Sequence, residues 1–190
     1  MNGGAPRKVL VVGLGNPDRG DDGIGPRVAR RLAGMLPPDV AIATPRGDLL
    51  GLLTEWDGFH AVICIDAAAP LTTPGRIHRF DLAHTELPPR ATAQSSHALG
   101  LAETIALARA LGQLPEEIAV YAIEGESFVA GTGITPQVAS AGDEVADRIA
   151  MEIATMRWNC GGADQHKPID PERPSQTPPT LSTETTARRF

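Results

Sequence analysis

Apolar residues fall in two patterns along the chain. Continuous short runs at residues 9–14, 61–65 and 118–123 read as strands covered on both faces, and 40–44 supports a shorter one. Longer stretches with helical spacing fill the gaps. Residues 25–36 predict a helix with Pro26 in its first turn and Pro37-Pro38 as its stop. Residues 48–55 place Leu49, Leu50, Leu52 and Leu53 on an apolar face, while 98–111 and 136–156 predict two further helices. Residues 70–74 read as a turn, 76–80 alternate like an edge strand, and the stretch through Pro88-Pro89 to Ser96 reads as a loop. Strands alternating with helices predict an α/β protein: a three-layer α/β/α sandwich with a mainly parallel sheet of about five strands.

The pattern stops near the end of the chain. Residues 1–158 form one expected domain, and 159–190, rich in proline, threonine, serine and charge, predict a disordered polar tail. A net charge of -6 argues against nucleic-acid binding, which rests on lysine and arginine neutralising phosphates. No apolar run approaches the roughly 20 residues needed to span a bilayer. The N-terminal residues lead into the first strand without a separate signal-peptide core. Of two cysteines, Cys64 sits inside an apolar run as a small buried hydrophobe and Cys160 near the tail, so a reduced, cytoplasmic protein is expected.

The candidate chemistry begins in GLGNPDRGDDGIG, residues 13–25, where a strand enters a glycine-rich turn, passes two carboxylates and starts a helix. A dinucleotide fingerprint fails here, because Asp18 holds the third glycine position and Asp21 and Asp22 repel a pyrophosphate. An acidic loop suits a cation instead. Ligands of parallel sheets bind outside the carboxyl ends of strands, where Asp22 and Asp66 both fall. His97, at the head of the helix after Ser95-Ser96, is the third candidate; a helix N-terminus favours its neutral, ligating form. Two carboxylates and an imidazole make a site for zinc or nickel with open positions. Each residue also has a plainer reading: Asp22 as a favourable charge at a helix start, Asp66 as a turn former, His97 as a solvated helix-start residue. His60, His78, His84 and His166 read as solvent-facing, and without a G-x-S-x-G elbow Ser96 reads as a helix cap. Glu124, after the 118–123 strand, is a candidate for substrate contact.

The run GLGNPDRGDDGIGPRVARRL, the Asp in VICIDA and the segment SSHALGLAE resemble the hydrogenase maturation endopeptidase family over about residues 8–156. The resemblance implies an α/β/α sandwich and a metal-dependent endopeptidase. Such an enzyme trims the C-terminal extension of a nickel–iron hydrogenase large-subunit precursor after nickel insertion. It implies Asp22, Asp66 and His97 as both metal-contacting and catalytic residues. The nickel is carried by the precursor, and a zinc-like ion suits the same donors. Asn16, Asp21, Gly47 and Glu124 are candidates for substrate contact, with Asp21 alternatively a support for its loop. The chain departs from the family at residues 44–48, Thr-Pro-Arg-Gly-Asp, where relatives carry an Asp-Gly-Gly-type loop; Gly47 keeps a glycine there. A peptidyl-tRNA hydrolase shares the GLGNP opening, but places its catalytic histidine soon after it, whereas His60 is the first here. A nickel carrier using the same trio, or a homologue that binds without cutting, stays open; the chain has no His- or Cys-rich tract of the kind carriers use.

Overall fold

The computed structural model describes residues 7–45, 49–69, 73–82 and 96–161, with side chains of 96–99 and 157–161 excepted. Five strands form one sheet in the order β2-β1-β3-β5-β4: β1 Val9–Gly13, β2 Ala41–Ala43, β3 Ala61–Ala68, β4 Ile77–Asp81 and β5 Glu117–Glu124. All neighbours are parallel except β4, which runs antiparallel to β5 at the edge. The edge expected from alternating residues 76–80 is therefore present.

Side-chain alternation divides the core into two layers. Val9, Val11, Ile63, Ile65 and Ile123 meet helix α1, Ile24–Ala33, through Ile24, Val28 and Leu32. The same layer receives the last helix, α4, Pro136–Gly161, through Val138, Val145, Ile149 and Ile153. Leu10, Val12, Val62, Cys64, Ile118 and Val120 face the other way, against Leu52 of α2, Leu52–Glu55, and Leu101 and Ile105 of α3, Ser96–Leu111. With both faces covered, β1 and β3 need continuous apolar residues rather than alternation. The edge strand is pinned by Arg79, which pairs with Glu152 of α4, while the Tyr121 hydroxyl donates to the same carboxylate at 2.6 Å.

Several boundaries move. The segment expected as a helix over 48–55 begins as a 3-10 turn, Leu49–Gly51, before α2. Helix α4 continues past residue 158 to Gly161, so the first residues assigned to a disordered tail are helical; 162–190 lie outside the described residues. Strand β3 continues to Ala68 because Asp66, Ala67 and Ala68 still pair with Ala122, Ile123 and Glu124 of β5. Asp66 is thus a strand residue rather than the turn residue after one. Its partner on the other side has gone: β1 ends opposite Ile65, and Leu14 N–H closes that edge on the Ile65 carbonyl at 2.8 Å.

From β1 the chain crosses by α1 to β2 on one side, then returns past β1 to β3 on the other. The order reverses between β1 and β3, which is where open parallel sheets leave a crevice at their carboxyl edge.

Candidate active site

Three segments converge on that crevice. The loop after β1 runs through Asn16 and Pro17 into a 3-10 turn, Gly20–Gly23, that touches β3 and leads directly into α1. Gly25 lets α1 rest on the sheet edge, since a Cβ there would lie 2.1 Å from the Leu14 carbonyl oxygen and 2.5 Å from that of Ile65. Gly15 adopts φ +121°, and a Cβ on it would lie 1.9 Å from the Asp22 carbonyl oxygen. We expect Gly15→Ala to cost about 2–4 kcal/mol, because strained backbone and a backbone clash combine. A urea midpoint equal to the parent's would contradict it.

The adjacent acids have separate surroundings. Asp21 is fully buried, and its carboxylate accepts from the backbone N–H of Glu126 at 2.7 Å, Ser127 at 2.9 Å and Thr135 at 2.7 Å, with the Thr135 hydroxyl at 3.1 Å. Its own N–H donates to the Ser127 carbonyl. Asp21 therefore straps the acidic turn to the 126–135 loop, the loop-support role allowed for it from sequence. Asp22 is 4% exposed, and one oxygen accepts the Asn16 N–H at 3.1 Å. Asn16 is itself exposed, with its side-chain oxygen turned back onto the Asp18 N–H. Such a turn holds the loop without secondary structure.

Asp66 is 3% exposed on β3, on the sheet face of Val62 and Cys64, and one oxygen accepts the Ala67 N–H. Beneath it Cys64 is buried as expected, and that burial, reinforced by the Asp66 charge, pushes its thiol up to about 12. At neutral pH it is an inert hydrophobe rather than a nucleophile.

Helix α3 covers this same face. It precedes β5, which runs parallel to β3, and returns the chain to the amino edge where β5 starts; its first turn therefore lies at the carboxyl edge. His97 is the second residue of that turn. The structure thus places the backbone of His97 on the same edge and face as Asp66; its side chain lies outside the described residues. Among the described residues no three His, Cys, Asp or Glu side chains form a metal-binding group. Gly47 also lies outside them.

A second pair was not visible in the sequence. Asp66, Ala122 and His78 form one row across β3, β5 and β4, and Glu124 lies one step further along β5 on the same face. Glu124 is fully buried; its carboxylate accepts the Thr73 N–H at 3.0 Å and lies 2.7 Å from His78 Nε2. His78, expected to face solvent, is instead 27% exposed and bound to this acid. The register of an antiparallel edge strand decides that pairing, and no local spacing announces it. His60 is likewise half-buried rather than solvent-facing, accepting the Lys8 N–H on Nδ1 at 3.1 Å, and it stands at the amino edge away from the crevice. His84 and His166 lie outside the described residues.

Comparisons with known proteins agree with this architecture. The family model described as HycI, hydrogenase maturation protease, matches residues 43–152. Hydrogenase 2 maturation protease of Escherichia coli (strain K12) is 31% identical over 137 residues, covering 69% of this chain and 81% of that protein. The structure of hydrogenase maturating endopeptidase HybD from E. coli has a TM-score of 0.64 at 23% identity, covering 78% of this chain and 93% of that one, a likeness of fold. The [NiFe] hydrogenase maturation protease HybD from Thermococcus kodakarensis has a TM-score of 0.61 at 25% identity, covering 77% and 99%.

Proposed function

Because the chain belongs to the hydrogenase maturation protease family, we propose that it removes the C-terminal extension of a nickel–iron hydrogenase large-subunit precursor after nickel insertion, with Asp22, Asp66 and His97 recognising the metal. One observation carries the reading. Two nearly buried carboxylates from separate segments stand at the reversal point of the sheet, and the first turn of α3 brings His97 to the same edge.

The donor set suits the task. Two carboxylate oxygens and one imidazole nitrogen match nickel, or a zinc-like divalent ion, and leave coordination positions for the precursor's own groups. In this reading the nickel is part of the substrate, so a metal-free precursor lacks the feature these residues grip. An ionised Asp22 or Asp66 serves as base for the attacking water. The nickel in the precursor adds a Lewis acid beside the scissile carbonyl. Asn16 and Glu124 border the cut, the first at the exposed loop tip and the second through the strap it holds on Thr73. No described helix is long and apolar enough to cross a membrane.

The test is cleavage of a purified large-subunit precursor, with and without nickel, read by intact mass. Loss of one C-terminal peptide from the nickel-loaded form alone is expected. An intact product from a verified nickel-loaded cognate precursor would turn the assignment towards a nickel carrier, for which tight stoichiometric nickel binding by the isolated protein is the signature.

A further inference from the structure

A cleft of about 250 Å³ opens beside the acidic loop, between α1 and the carboxyl end of β2. Gly15 and Pro17 form one wall, Ala29 and Arg30 of α1 another, and Ile42 and Pro45 the third. Its Gly15–Pro17 wall is the loop segment whose Asn16 N–H donates to the Asp22 carboxylate, so the cleft adjoins that acid without being lined by it. The rest of its lining is apolar or small, and Arg30 supplies the charge.

The three arginines of α1 are not equivalent. Arg27 and Arg31 lie on the helix stripe that faces α4, where they meet Asp143 at 3.5 and 3.6 Å, and Arg31 also reaches Asp147 at 3.7 Å. Arg30 falls on the next stripe with Pro26, Ala29 and Ala33, which lines the cleft. Among the described residues it makes no ion pair, in a chain whose net charge is -6. A cation left unpaired at the mouth of an apolar cleft, next to the reacting site, fits an anionic group on an extended polypeptide.

Resting on the function proposed above, we infer that this cleft seats the precursor segment flanking the cut, with a compact apolar side chain inside and an acidic side chain on Arg30. Arg30 lies eight positions after Asp22, two of them spanning the end of the 3-10 turn and six the α-helix, about 13 Å along the axis. An extended peptide covers that span in about three or four residues, which places the acidic residue that far from the scissile bond. Arg30 is a specificity residue here and takes no part in bond breaking.

Progress curves on the nickel-loaded precursor with the full-length protein test this. Arg30→Glu is expected to raise KM about tenfold with kcat within about twofold, Arg30→Lys to stay near the parent, and Arg148→Glu on α4 to change neither. Exchanging to Lys the precursor acid three or four residues from the cut should restore KM for Arg30→Glu. If the parent cleaves and Arg30→Glu keeps its KM, the cleft assignment is wrong and the protease reading stands. If the parent does not cleave, the protease reading itself fails. A change in sedimentation of Arg30→Glu, with KM unaltered, would give the cleft to a second copy of this chain and overturn the proposal.

Discussion

Asp21→Asn is expected to lower the unfolding free energy by about 2–4 kcal/mol, although the side chains have nearly the same shape. Both carboxylate oxygens are committed to donors: one takes the N–H groups of Glu126 and Ser127, the other the N–H and hydroxyl of Thr135. An asparagine has one oxygen, so whichever way it turns, its NH2 faces groups that also donate. At a fully buried site no solvent makes good the loss. Urea unfolding measures the shift, and an unchanged midpoint would remove the strap from this account. A functional defect should accompany it, because the 126–135 loop then no longer fixes the turn that carries Asp22.

His97→Ala is expected to have the opposite profile. Processing of the nickel-loaded precursor should fall by about a hundredfold or more, as for removal of a group acting on the reacting atoms, while the urea midpoint moves little. His97 occupies the second position of a 16-residue helix whose packing on the sheet is made further along, by Leu101, Ile105 and Ala108. Its loss therefore leaves the helix anchored. Processing that continues at the parent rate would falsify the role of His97 in this site. Together the two variants separate a carboxylate that holds the loop from an imidazole proposed to act on the substrate.

The candidate site is more legible in sequence than its supports. The acidic turn follows a strand and the histidine begins a helix, and element ends are what local patterning locates. Asp66 shows the limit. The apolar run of β3 stops at Ile65, yet pairing with β5 carries the strand to Ala68 and sets the acid inside it. A neighbouring strand, rather than residues 66–68, decides where β3 ends.

The sequence by itself determined the layered α/β architecture, because burying a sheet on both faces demands continuous apolar runs and helices with one apolar stripe. It also determined the short list of acids and histidine, since these types are costly in such elements unless something uses them. Only the tertiary structure decided between adjacent residues of the same type. It gave Asp21 to the 126–135 loop and left Asp22 at the crevice, joined Glu124 to His78, and paired Arg27 and Arg31 with α4 while turning Arg30 to the cleft. Periodicity encodes which side of an element is buried. Partners from segments distant in sequence are fixed by strand register and helix rotation, and these exist only once the layers have packed.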